Sequence, residues 1–177
     1  MTLFLYRMLG ASVLDRDMYE ELEHNPSTTG EALAVVILAS IAGGIGAGFS
    51  GDDVWRSLLV ASAISVALWL AWAMLAFQIG TRLLPEAGTH ATWGELLRTT
   101  GFAATPGLLQ VFGVMNPWSE PIFVASLLWM FAAMVVALQR ALDYQRPWRA
   151  VAVAGVSAAL VLLIATLGSL AFTPAVR

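Results

Sequence analysis

The chain reads as an all-α polytopic membrane bundle of about five transmembrane helices, with an N-terminal interfacial amphipathic segment. Three observations predict this. Hydrophobic residues make up 59% of the 177 positions and charged residues only 12%, about half the charged share of an ordinary soluble domain. Asp15, Asp17, Glu20, Glu21, Glu23 and Glu31 place half of the twelve acids in the first 31 residues. Long later stretches carry no charge at all, and about 20 such residues are what a helix needs to cross roughly 30 Å of hydrocarbon.

The first element is a cytoplasmic segment over residues 1–27. Leu3 to Val13 carries Leu, Phe, Tyr and Met with one Arg, and Leu14 to Leu22 continues with Met18 and Tyr19 among acids. This predicts one or two amphipathic helices lying at the membrane interface. Arg7 breaks the short apolar run and no small-residue cleavage site follows it, so the first span is expected to act as a signal anchor rather than follow a cleaved leader. Pro26 separates the segment from that span.

The transmembrane domain is read over residues 28–177, with spans at about 31–49, 56–80, 96–114, 121–142 and 148–172. Four are plain apolar runs. The third contains Arg98, three threonines, Pro106 and Gln110, and charge placement decides whether it crosses. Basic residues collect in short cytoplasmic loops. With five spans and the N-terminus inside, Arg7, Arg16, Arg82, Arg98, Arg140, Arg146 and Arg149 are cytoplasmic, leaving only Arg56 and Arg177 outside, seven against two. Without the third span the ratio falls to five against four. Five spans therefore follow, with a cytoplasmic N-terminus and an exterior C-terminus. All nine basic residues are Arg, a bias suggesting a GC-rich bacterial genome, hence a bacterial inner membrane.

End signals fit these spans. Thr28-x-x-Glu31 and Thr92-x-x-Glu95 read as capping boxes opening the first and third. Pro121 and Pro147 stand near the first turns of the fourth and fifth, where a missing N–H costs nothing. Trp55, Trp93, Trp118 and Trp148 fall at span edges, where indole buries its ring and wets its N–H. Trp69, Trp72 and Trp129 fall inside spans and read as packing residues.

Composition also narrows function. A net charge of −3 without a basic cluster argues against nucleic acid, which needs several convergent cations. The absence of Cys removes disulfides, thiolate nucleophiles and cysteine metal sites. No GxSxG elbow, Ser–His pairing or intramembrane acid pair is present, so nothing asks for catalysis, and no cofactor is expected. His24 and His90 stand alone in predicted loops, without the neighbours of a zinc site. Asp52 and Asp53 are only a fragment of a cation shell, so no metal is expected. Asp143 reads as a surface partner for a loop arginine.

Two motifs remain. In Gly43-Gly44-Ile45-Gly46-Ala47-Gly48, the pair Gly44 and Gly48 reads as small-residue packing between helices; a phosphate loop would need a preceding strand and a lysine that the chain lacks. In the third span, Arg98, Thr99, Gly101, Phe102, Thr105, Pro106 and Gln110 form a Pro-broken stretch that could line a lipid or anion site. The competing reading, which is preferred, has Arg98 snorkelling to headgroups and Pro106 merely kinking the helix.

The acidic segment Leu14 to Leu22 with its Tyr19, five spans, and the sequence Arg98-Thr99-Thr100-Gly101-Phe102-Ala103-Ala104-Thr105-Pro106 together resemble the Yip-domain family. Its bacterial members commonly show an Arg-x-x-Gly-aromatic-x-x-x-Pro pattern in a central span; here Phe102 stands where Tyr is frequent. The resemblance runs from about Leu14 to Phe172. It implies a noncatalytic integral membrane protein. The Ypt/Rab GTPases that gave the eukaryotic family its name have no counterpart in a bacterium. The expected role is a scaffold or adaptor that contacts a cytoplasmic or membrane protein partner through Asp15, Asp17, Tyr19, Glu20 and Glu21. The alternative is a small transporter, channel or lipid-handling component built on the broken third span. Expected partners are the lipid bilayer, a second copy of the chain in a homo-oligomer, and such a protein, with no nucleic acid.

Overall fold

A computed structural model describes residues 2–48, 53–115 and 117–172, with side chains described as far as Gly168. Asp52, Arg177 and the predicted span edge at Phe49 lie outside the described residues. Every regular element among them is helical: α1 (Thr2–Ser12), α2 (Arg16–His24), α3 (Thr29–Gly46), α4 (Val54–Gln78), α5 (Trp93–Phe102), α6 (Ser119–Ala141) and α7 (Pro147–Phe172). A short 3₁₀ turn at Pro26–Thr28 precedes α3, a wide π turn at Ile79–Leu83 ends α4, and a ten-residue 3₁₀ stretch, Thr105–Val114, follows α5. Four helical stretches are long and apolar enough to cross a membrane: Pro26–Gly46, Val54–Leu83, Ser119–Ala141 and Pro147–Gly168.

The central segment differs from a regular helix because Pro106 removes an N–H that an α-helix would use. Ten residues of α5 at 1.5 Å and ten of 3₁₀ at 2.0 Å nevertheless reach about 35 Å. It runs parallel to α3 along almost all of that helix: Gly101 packs on Ala32, Gly107 on Ala39, and Gly113 on the Gly46 carbonyl. It runs antiparallel to α6, Gly107 meeting Met130 and Gly113 meeting Phe123. α4 and α7 pair antiparallel, with Trp72 Nε1 donating to the Ala154 carbonyl at 3.3 Å and the Tyr144 hydroxyl donating to the Gly80 carbonyl at 2.9 Å.

One end of the bundle therefore collects α2, the segment between α4 and α5, the start of α5 and the α6–α7 connection. Arg149 pairs with Glu86 there at 3.3 Å, and Glu86 also accepts from the Gln145 N–H at 2.8 Å. Arg56 stands at the opposite end, in the first turn of α4.

α1 inverts the usual pattern of a surface helix. It buries Arg7, Met8 and Ala11 and exposes Leu3, Leu5, Tyr6 and Leu9 outward, Leu9 to 66%, with Val13 exposed in the turn just past it. Such an outward face is matched to lipid, not water. The helix is also set into the bundle: Phe4 stacks edge-on against Phe102 with centroids 6.3 Å apart, and Trp129, well inside α6, donates its indole N–H to the Ser12 carbonyl at 2.7 Å. Trp129 is thus a hydrogen-bonding anchor as well as a packing residue.

Three local expectations are corrected. Thr28 makes no capping bond to α3; its hydroxyl donates to the Asn25 carbonyl at 2.8 Å, and Glu31 turns to Arg7 instead of back to the cap. The 3₁₀ turn, itself capped by Asn25, already sets the entry to α3, and a buried guanidinium is a stronger acceptor's target than a neutral N–H. The box at Thr92 and Glu95 is present in full. Gly48 packs against nothing within 4 Å among the described residues; with φ +73° it is the left-handed residue just past α3, a conformation that suits glycine. Gly43 and Gly46 of that run both face Gln110 in close contact, and Gly44 is buried. His24 closes α2 instead of standing in a loop.

Candidate functional site

Arg98 neither snorkels nor faces an open path. It is 7% exposed, and its Nε donates to the Leu22 carbonyl at 3.1 Å while Nη2 donates to the Glu23 carbonyl. These are carbonyls of the last turn of α2, which has no later turn to satisfy them. A cation there also complements the negative end of the helix. Arg98 therefore caps α2 from another helix.

The rest of the central motif is committed inward as well. Thr99 and Thr100 bond back to the Leu96 carbonyl, and Phe102 is fully buried. The Phe102 carbonyl, which Pro106 cannot serve, accepts from the Thr105 hydroxyl at 2.6 Å. The Pro106 carbonyl accepts from the Ser126 hydroxyl on α6 at 2.9 Å. The break thus leaves neither carbonyl open to coordinate a passing ion, and Gly101 serves close contact with Ala32.

The expected partner-contact residues divide. Tyr19 is fully buried and donates to the Ala11 carbonyl at 3.0 Å, with burial pushing its phenol further above the ordinary tyrosine range; it is core, not surface. Asp15 caps α2 by accepting from the Asp17 and Met18 N–H groups. Glu21 and Glu31 share Arg7, at 3.2 and 3.0 Å, which ties α1, α2 and α3 at one point. Only Asp17 and Glu20 remain as exposed acids without a local backbone duty, and Glu20 stands 3.7 Å from Arg140. Hydrophobic periodicity on so short a helix as α2 did not separate Tyr19 from its acidic neighbours.

At the end where α2 meets α5 and the α6–α7 connection lies an open polar cavity of about 460 Å³. α2 contributes Glu20, Glu23 and His24, which share one helix face at spacings of three and four. Thr92 and Glu95 come from the start of α5, and Arg140 and Asp143 from the end of α6. His90 joins from the preceding loop. Glu23 is pushed up to about 7, first by burial and then by Asp143, with His24 pulling it back down and Glu95 and Glu20 adding to the rise. The His24 ring is held above its ordinary value by the Glu20 carbonyl at 2.9 Å and by the Glu23 charge. Sequence reading missed Glu23, Glu95 and the two histidines as a group, although the spacing of Glu20, Glu23 and His24 on α2 was a usable signal. Asp143 pairs with no arginine among the described residues; its N–H closes the α6 end on the Arg140 carbonyl.

A second cavity, apolar and about 540 Å³, lies among the spanning helices, between α3, α4, the 3₁₀ stretch and α6. Gln110 lines it, with its amide nitrogen 3.9 Å from the Met130 sulfur. Gly44 lines it too, and the Trp69 N–H in its wall has no hydrogen-bond acceptor among the described residues.

A family model described as the Yip1 domain matches residues 14–168. No curated protein and no solved structure matches the chain. The matched region starts one residue before the Asp15 cap of α2, contains the whole Arg98–Pro106 motif, and ends within α7. The residues that fasten α2 to α5 all lie inside it, and the chain belongs to the Yip1 domain family.

Proposed function

We propose that this protein is a noncatalytic membrane adaptor that holds a folded recognition face at one end of its bundle. One observation carries the reading: Arg98 and Arg7 lock α2 in place while Asp17 and Glu20 stay exposed on it. A pre-ordered face binds without the entropy cost of ordering a free segment. Seven arginines cluster at or near that end in the sequence-based topology, which favours its lying in the cytoplasm of a bacterial cell, with five crossings and the C-terminus opposite. Because Met18, Tyr19 and Leu22 are core residues, removing residues 1–25 would disrupt the bundle, and a surface test is sharper. A photocrosslinking residue replacing Asp17 is expected to give a discrete adduct with a cytoplasmic or membrane protein, abolished by Glu20→Arg. An unchanged adduct pattern, or none in native membranes, sinks the adaptor reading.

A second reading is favoured by the apolar cavity and the unpaired Trp69 N–H. Here the protein handles lipid, an acyl chain occupying the cavity beside Gln110. Filling the cavity by Gly43→Leu should then reduce lipid scrambling by reconstituted protein, and an absence of scrambling in the wild type removes this reading.

A further inference from the structure

The polar cavity beneath α2 holds more carboxylate than the protein neutralises. Arg140 is the one guanidinium among the described residues lining it, and it stands against Glu20 at 3.7 Å. One oxygen of Glu95 accepts from the Thr92 N–H at 2.7 Å. Glu23 is different: only 8% exposed, its carboxylate accepts no hydrogen bond and forms no ion pair among the described residues. A largely buried carboxyl group without a protein partner is costly, and what water reaches this one comes from the open cavity it lines.

We propose that this cavity receives a chain-borne organic cation, an ammonium or guanidinium group that pairs with Glu23 and Asp143. A metal ion fits less well, since no three His, Asp or Glu side chains among the described residues stand close enough to hold one. The volume of about 460 Å³ is in the range of small-molecule sites, and an ammonium with three N–H donors or a guanidinium with five can serve several carboxylates at once. Two sources share this chemistry, a free polyamine and a Lys or Arg side chain on a basic segment of a protein partner. For the protein source alone, the inference rests on the adaptor reading.

The opposing groups set the pH dependence. In the space they share with Glu20, His90, Glu95, Arg140 and Asp143, Glu23 loses its negative charge and His24 gains a positive one on acidification, so cation binding weakens as pH falls. Arg140, against Glu20 at 3.7 Å, keeps Glu20 from dominating the site.

The full chain in phosphatidylcholine nanodiscs, titrated calorimetrically at pH 8 with spermidine and separately with an acetylated tetra-arginine amide, tests this. One equivalent of at least one probe is expected to bind, with Glu23→Gln and Asp143→Asn each weakening it about tenfold or more, the loss of one charge-assisted contact. Binding of spermidine identifies a free cation as the source; binding of the peptide alone identifies a protein segment. Thermal unfolding of each variant reports whether it is folded. Binding of neither probe to the wild type, or undiminished binding to folded Glu23→Gln, overturns the proposal. If neither binds while the Asp17 crosslink persists, the cation site falls and the adaptor reading stands. If a probe binds and no crosslink forms, the site stands and the adaptor reading falls.

Discussion

The guanidinium of Arg98 donates to the carbonyl of Leu22, 76 positions earlier in the chain. That bond, with its companion to Glu23, joins the last turn of α2 to α5. Arg98→Ala would leave the Glu23 carbonyl without this donor and the Leu22 carbonyl with only the long 3.4 Å bond from the Thr28 hydroxyl. Hydrogen bonds from a charged donor are worth about 1.5–3 kcal/mol each, and partial hydration of the vacated space offsets some of this. The expected loss is about 2–4 kcal/mol, read as a lower unfolding temperature in detergent together with faster proteolysis between α2 and α3. Arg98→Lys, which cannot present two N–H groups in a fork, should fall between. Proteolysis at the wild-type rate in Arg98→Ala would show that α2 is held by packing alone.

Glycine contact rather than glycine flexibility sets the α3 interface. A methyl group on Gly46 would overlap the Gln110 carbonyl, whereas one on Gly155 in α7 meets nothing within 4 Å. Gly46→Ala should therefore destabilise by about 1–3 kcal/mol, the usual cost of overpacking. Gly155→Ala should be neutral or stabilise by up to about 1 kcal/mol, through helix propensity. Equal unfolding temperatures for the two variants would contradict the close approach of the 3₁₀ stretch to α3.

Two ion pairs near the same end should differ in weight. Arg7 is buried and shared by Glu21 and Glu31, whereas Arg140 and Glu20 are both substantially exposed and 3.7 Å apart. Exposed pairs contribute about 0–1 kcal/mol; a buried charged donor with two acceptors contributes more. Arg7→Met is expected to lower stability by about 1–3 kcal/mol and Glu20→Gln by under about 1 kcal/mol, compared by denaturant unfolding in the same detergent. A larger effect at Glu20 would reverse this ranking.

These contacts explain which parts of the molecule were legible in the sequence. Local signals worked where partners lie within one turn: the Thr92–Glu95 box and Pro147 at the first position of α7 are read from neighbours alone. Trp55, Trp118 and Trp148 are exposed at helix starts as an interfacial belt requires. They failed where a distant group competes. Thr28 had the spacing of a capping box, but Glu31 found Arg7, 24 residues away. Arg98 had the position of a snorkelling residue, but the carbonyl end of α2 was within reach, and a buried helix terminus takes a donor in preference to leaving both groups unpaired. Tyr19 sat in an acidic stretch, yet its ring faces the core with Met18 and Leu22. The cavity acids escaped notice as a group because Glu20 and Glu23 on α2 meet Glu95 and Asp143 only in the folded chain, and no single stretch of sequence contains all four.

The last expectation concerns Glu23 and pH. Its carboxyl is raised from an ordinary 4.5 to about 7, chiefly by burial and next by Asp143. An acid with a higher pKa in the folded state than in the unfolded one holds its proton more tightly when folded. Below pH 4.5 both states are protonated and the group costs nothing. Between about 4.5 and 7 the unfolded chain ionises while the folded chain does not, so stability contributed by this group declines as pH rises, and levels off above about 7 once both are ionised. Glu23→Gln keeps the size and removes the titration. The difference in unfolding temperature between Glu23→Gln and wild type should therefore grow in favour of the variant from pH 4.5 to pH 7.5, and an added cation that pairs with Glu23 should shrink it. A difference that stays flat across this range would place the carboxyl in contact with water in the folded protein, and would leave the cavity without the unpaired charge that gives it a use.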